Sequence, residues 1–136
     1  MILDDIATYL AANSTRLTVG VNLTKGFMPD SPDTVTTIFE TAGFPSVNTF
    51  STGSDYRVYE QPGLMVHSRS TDYQTVRLVM EDVFSILDGV GNATLPTATG
   101  VRYATIDAAQ PPFDIGQDQN DRHMLSVNFN VMKSTG

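Results

Sequence analysis

The clearest local signal in the chain is the stretch 71–89, which reads TDYQTVRLVMEDVFSILDG. Thr71 and Gln74 fit a capping box, in which two side chains bond reciprocally at the start of a helix. Asp88 and Gly89 end the pattern, since glycine suits the left-handed position after a helix. Apolar residues recur between them at helical spacing and form one stripe, widened by Phe84 and Ile86: Val76, Val79, Met80, Val83 and Leu87. The stretch therefore predicts an amphipathic helix that packs on an apolar surface.

Strand patterns lie on both sides of this helix. Residues 123–132 alternate most cleanly, which predicts a strand with one buried face, made of Leu125, Val127, Phe129 and Val131. Weaker strand patterns cover residues 17–25, 34–41, 64–69 and 101–108. A first helix is predicted near the N-terminus, where Ile2, Ile6 and Leu10 recur at helical spacing.

These elements predict one α+β domain spanning residues 1–136. We expect a small mixed or antiparallel sheet of about four to five strands, with two helices packed on one face. The length suffices for one hydrophobic core.

Two stretches, 42–61 and 109–121, lack a regular pattern. Binding residues concentrate in such segments, and aromatic side chains are enriched at interface centres. The predicted interface residues are Phe44, Phe50, Tyr56, Tyr59, Pro111, Pro112 and Phe113. The alternative is that the aromatic side chains cover the domain's own core.

The composition disfavours several classes of protein. The formal net charge is −7 and the eight basic residues are scattered, which argues against a passive nucleic-acid binder. The absence of cysteine excludes disulfides and thiolate metal sites. Asp4 and Asp5 stand where a signal peptide would be basic, and no apolar run is long enough to cross a membrane. We therefore expect no membrane association.

No catalytic, cofactor-binding or metal-ligating residues are predicted. The G-x-S-x-G, H-E-x-x-H and P-loop motifs are all missing. His67 and His123 fall on predicted strands without metal-ligand spacing. Pairs such as Asp4/Asp5 and Asp118/Asp121 are interpreted as solvated carboxylates.

The second half of the chain resembles the tail terminator, or minor capsid, proteins of long-tailed bacteriophages. Four segments carry the resemblance in order: 60–69 (EQPGLMVHSR), the Asp72-Tyr73 opening of the helix, 110–118 (QPPFDIGQD) and 125–131 (LSVNFNV). Together they span roughly residues 60–132. The order and spacing of the segments make the resemblance, because each motif alone is short.

This resemblance implies a sheet flanked by helices and a structural function without catalysis or cofactors. The family forms rings, commonly six-fold, which stop growth of the tail tube and offer a surface to the head connector. The implied partners are further copies of the chain, the tube protein and the connector. DNA would pass through the ring without specific binding. The protein would assemble in the host cytoplasm and remain in the virion at the tail–head junction.

Other functions stay open at this point. A head-completion or connector-joining protein of the same virion would share size and charge. A small hydrolase that depends on a carboxylate or histidine is a more distant alternative, as is a host-encoded adaptor.

Overall fold

The computed structural model describes residues 2–48, 57–95 and 101–134. Within them the elements follow in this order: α1 (Ile2–Asn13), β1 (Leu23–Lys25), β2 (Val35–Asn48), β3 (Arg57–Ser70), α2 (Tyr73–Leu87), β4 (Val90–Leu95), β5 (Val101–Ala108), β6 (Phe113–Gln117) and β7 (His123–Ser134). The predicted α+β class is confirmed.

The strands form one mixed sheet in the order β1-β2-β3-β7-β5-β4. β1 and β2 pair in parallel, and the other neighbouring strands pair antiparallel. β6 pairs with the same edge of β7 as β5 does, because β3 occupies the other edge. Pro111 and Pro112 separate β5 from β6, since proline has no N–H to donate to a strand ladder.

One core cluster joins both helices to one face of the sheet. The predicted stripe of α2 is confirmed, and all five of its residues are buried. The alternating residues of β7, from Leu125 to Val131, are buried as predicted. They pack with Leu64 and Val66 of β3, which lie opposite Phe129 and Val127. Helical and strand periodicities therefore direct their apolar sides into the same core.

The sheet has seven strands in the described residues, which is more than the four to five predicted. Residues 113–117, within a stretch predicted to be irregular, form β6, and residues 90–95, which none of the predicted strands covers, form β4. Both are short, and their glycines and polar residues hide any alternation. The prediction for residues 17–25 was too long, since only Leu23–Lys25 form a strand.

The stretch 42–61 is also more regular than predicted, because residues 42–48 and 57–61 extend β2 and β3. The register shifts repeatedly beyond Thr41, which disrupts the alternation in the sequence. Gly43 and Gly63 permit the two strands to cross closely here. A Cβ atom on Gly43 would lie 1.8 Å from the carbonyl oxygen of Gln61, so no side chain fits.

Helix α2 begins one residue later than the capping-box interpretation requires. Its N-cap is Asp72, whose carboxylate accepts bonds from the Gln74 backbone N–H at 3.3 Å and from the Thr75 hydroxyl at 2.8 Å. Aspartate caps helices as well as threonine does, so the two candidates compete in sequence. Gly89 has the expected positive φ of 83°. Neither of the two helices in the described part of the chain is long and apolar enough to cross a membrane.

Candidate functional site

The predicted interface residues that the structure describes lie in two separate regions. Phe44 is in β2 opposite Gln61 and is 62% exposed. Phe113 is 40% exposed and lies in β6 opposite Ser126 of β7. Ser126 in turn pairs with His67, which lies further along β3 than Gln61. Pro111 is exposed and Pro112 is partly buried, just before β6. The structure therefore does not combine these residues into one patch.

The first region lies where several strand ends meet. At this end of the sheet β2, β4 and β7 finish, and β3 and β5 begin. The strand ends are neighbours in the pairs Asn48↔Arg57, Leu95↔Val101 and Tyr103↔Lys133. We call this end of the sheet the hairpin end. The backbone of Tyr59 pairs with Val47 here, and the side chain of Tyr59 lies outside the described residues. Phe50 and Tyr56 also lie outside them.

The opposite end of the sheet contains two buried arginines that sequence reasoning missed. Arg69, near the end of β3, donates from Nη2 to the carbonyl oxygens of Pro29 and Pro32 at 2.7 Å, and from Nε to that of Asp33 at 3.2 Å. Arg122, just before β7, binds the loop and the turn that follows β6. These two residues, the arginine pair, connect the loop of residues 26–34 to the sheet.

Arg122 is surrounded by carboxylates. Its guanidinium contacts Asp118 at 2.7 Å, Asp30 at 2.9 Å and Asp33 at 3.3 Å, and it also donates to the carbonyl oxygen of Asp30. Burial raises the pKa of Asp118, but backbone hydrogen bonds from Arg122 and Asn120 and the Arg122 guanidinium outweigh it and lower this pKa. Asp118 is therefore a structural ion-pair partner and not the solvated carboxylate that was predicted.

Replacement of Arg69 by methionine should destabilise the fold by about 2–4 kcal/mol, because three carbonyl oxygens lose their donor. Denaturant unfolding monitored by circular dichroism measures this loss. Arg77→Met is the control. Arg77 is 37% exposed and pairs with Glu81 within α2, so its loss should cost less than about 1 kcal/mol. Equal destabilisation by Arg69→Met and Arg77→Met would show that Arg69 does not stabilise the fold by connecting the loop to the sheet.

The second region, β6, is an edge strand in the described part of the sheet, and the carbonyl oxygen of Pro112 just before it accepts a bond from Arg77 of α2 at 3.4 Å. Every residue of β6 is exposed, including Phe113 and Ile115. Its register shifts between Asp114 and Gly116, and the Asp114 carboxylate accepts the Gly116 N–H at 2.7 Å. Such a bulge hinders the addition of a further strand. β6 therefore exposes side chains more than backbone groups.

The two histidines do not form a site. His67 pairs with Ser126 and His123 with Ser70, so the register places the two rings on opposite faces of the sheet. His67 contacts Phe39 edge-on, and His123 contacts Tyr73. In the described residues no group of three or more His, Asp or Glu side chains could hold a metal ion.

Asp5 was predicted to be solvated and is buried. Its carboxylate accepts the hydroxyl of buried Tyr103 at 2.9 Å. Burial, followed by this hydrogen bond, raises the pKa of Tyr103, so the phenol stays protonated. The pair connects α1 to β5 and is structural.

His67→Gln and His123→Gln should each leave biological function intact, because neither ring belongs to a reactive cluster.

Burial lowers the pKa of His67. The unfolded chain therefore binds a proton more readily, and stability should fall as the pH drops below the ordinary histidine value of about 6.5. Thermal unfolding from about pH 8 to pH 5 should show a smaller acid-induced loss in His67→Gln. An identical acid-induced loss of stability in the parent protein and in His67→Gln would show that His67 is not the titrating group.

The family comparison decides which kind of protein carries these regions. The family described as bacteriophage tail terminator protein matches residues 9–135. The chain belongs to this family. The resemblance found in residues 60–132 is thereby confirmed. This tail terminator family consists of structural phage proteins and not of enzymes, so the chain is a viral structural protein of the tail.

Solved structures show the same fold at low sequence identity. A chain of a native gene transfer agent virion is 12% identical, with a TM-score of 0.57 over 92% of this terminator chain and 84% of that chain. A second solved protein is 9% identical, with a TM-score of 0.55 and coverage of 99% and 91%. No curated protein matches the sequence.

Proposed function

We propose that this chain forms a ring at the head-proximal end of the tail tube, where it stops tube growth and provides the attachment surface for the head connector. The match to the tail terminator family over residues 9–135 carries this proposal. A six-fold ring is the symmetry that the family resemblance favours.

The positions of the exposed aromatic residues support such an arrangement. A subunit in a closed ring needs two different lateral surfaces, because head-to-tail contacts generate rings. A terminator needs an additional surface for the tube or the connector. The hairpin end with exposed Phe44 suits the contact with the tube or the connector. β6 with exposed Phe113 lies elsewhere on the subunit and is free for a lateral contact in the ring.

The charge of the chain is compatible with a DNA channel. Fifteen acidic and eight basic residues give a net charge of −7. Affinity for DNA depends largely on Lys and Arg contacts to phosphate, so an acidic ring would let DNA pass without retaining it. The same charge also favours solubility. We infer that the ring assembles in the host cytoplasm and stays at the tail–head junction.

Mixing the purified protein with polymerising tail tube protein of the same phage tests the proposal. Tubes should acquire a ring at one end and stop growing, and electron microscopy should show a narrow distribution of lengths. A head-completion or connector-joining protein would instead bind filled heads or connectors and leave tube lengths unchanged. That second outcome would overturn the terminator assignment.

A further inference from the structure

A groove lies beside α2, on the side away from β6. It has a volume of about 340 Å³ and is lined by Arg16, Asn22, Thr34, Thr75, Leu78 and Val79. Leu78 is 44% exposed although it belongs to the helix that forms the core. The turn that ends at Asn22 contains two further exposed apolar residues, Val19 and Val21. The groove therefore lies in a partly apolar part of the surface.

The walls of the groove are held in place by hydrogen bonds. Asn22 accepts the Thr18 N–H at 2.7 Å, donates to the carbonyl oxygen of Arg16 at 2.7 Å and fixes the turn between them. The Thr34 hydroxyl contacts that of Ser70 at 3.0 Å on the other side. A site with fixed walls loses little conformational entropy when it binds a partner.

Arg16 is the charged residue among those that line the groove. It is exposed and forms no ion pair with any of the residues that the structure describes. By contrast, Arg77 on the other side of α2 pairs with Glu81 and also contacts Pro112. An unpaired arginine on a chain of net charge −7 favours an acidic partner.

The chain itself contains a segment of matching chemistry. In β6, Asp114 stands between Phe113 and Ile115, which are 40% and 43% exposed. One carboxylate oxygen of Asp114 accepts the Gly116 N–H, and its other oxygen forms no ion pair with the residues that the structure describes, so it can receive a cation. Tyr73 and Arg77 of α2 contact the β6 side, while Thr75 and Leu78 line the groove. The two surfaces therefore lie on opposite sides of one helix.

We propose that the groove of one subunit receives β6 of a second copy of this chain, with Phe113 and Ile115 against Leu78 and Asp114 beside Arg16. This contact rests on the proposed ring function and assigns its lateral interface. Because groove and β6 are different surfaces, the contact is head-to-tail and repeats around a ring. A groove-to-groove contact would instead stop at a dimer.

Cysteine cross-linking tests the contact, since the chain contains no cysteine of its own. Leu78→Cys and Ile115→Cys both alter exposed positions, and their thermal unfolding should match that of the parent protein. With a short bismaleimide linker, the double variant should give a covalent ladder that ends at the ring size. Each single variant should stay monomeric on a denaturing gel, whereas their equimolar mixture should give dimers.

Charge exchange provides an independent readout. Arg16→Asp and Asp114→Arg should each weaken ring assembly by about tenfold or more, because like charges then face each other. The combined variant should recover assembly. Native mass spectrometry and electron microscopy measure the ring in each case, with and without tail tubes.

Each outcome decides between the two proposals. Rings that form without the ladder, and that tolerate both single charge changes, would overturn the groove contact and leave the terminator function standing. Leu78→Cys cross-linked to the tube protein would also overturn it and assign the groove to the tube. Absence of rings even on tail tubes would overturn the ring itself, and with it this contact.

Discussion

Val83→Asp is expected to leave the protein unfolded or insoluble. Val83 lies in the buried stripe of α2 and has no exposed surface. The change forfeits about 1.5–3 kcal/mol of apolar burial. It also places an unpaired carboxylate in the core, which costs several kcal/mol more. Since domains are stable by only about 5–15 kcal/mol, little or no folded protein should remain.

Soluble yield and cooperative unfolding by circular dichroism measure this effect. Ser85→Asp is the matched control, because Ser85 lies on the exposed side of the same helix. It introduces the same charge on the surface, where repulsion from Glu81, Asp82 and Asp88 near the end of the helix should cost only about 1 kcal/mol. A soluble Val83→Asp variant that unfolds cooperatively would show that α2 packs on the sheet through another face.

The parts of the fold that sequence could predict are those with a strong local period. The stripe of α2 and the alternation of β7 both follow from side-chain geometry, so their buried residues were identified correctly. β6 was not predicted because all its side chains are exposed, and β4 was not predicted because it is short and its Gly91, Asn92 and Thr94 interrupt the apolar residues that pack on the core. The outer parts of β2 and β3 were missed because register shifts at Phe44 break the alternation.

Long-range arrangement limits prediction of the candidate sites. Arg69 and Arg122 bind a loop around Pro29 and Pro32 that is distant from them in sequence. No local spacing of residues predicts these contacts. The sequence contained one indication of where Arg69 lies. The alternation in β3 places Arg69 with His67 on the face of the sheet opposite the core residue Val66. The groove is likewise built from distant segments, around Arg16, Thr34 and Leu78. Aromatic residues in irregular sequence located exposed positions but could not show that they occupy two regions.

Phe44→Ser should abolish control of tail length while the protein stays folded. Phe44 is 62% exposed at the hairpin end, so its removal should change stability by no more than about 0.5 kcal/mol. If the ring contacts the tube here, an aromatic anchor at the centre of the contact is worth about 2 kcal/mol or more. Affinity for the tube should then fall by about 30-fold, since each 1.4 kcal/mol is a factor of ten. Phe50→Ser and Tyr56→Ser, outside the described residues, are predicted to act in the same way.

Phe27→Ser is the matched control for this prediction. Phe27 is 71% exposed, but it lies away from the hairpin end, because the neighbouring Gly26 N–H bonds to the carbonyl oxygen of Ile38, six residues before Phe44 in β2. Both variants remove one exposed phenylalanine, so a general effect of surface hydrophobicity would appear in both. Tube length distributions and thermal unfolding should therefore separate them, with long tubes only for Phe44→Ser. If Phe44→Ser melts early, the side chain supports the subunit's own fold. If it still stops tube growth, the tube binds another surface, and in either case the hairpin end is not the tube contact.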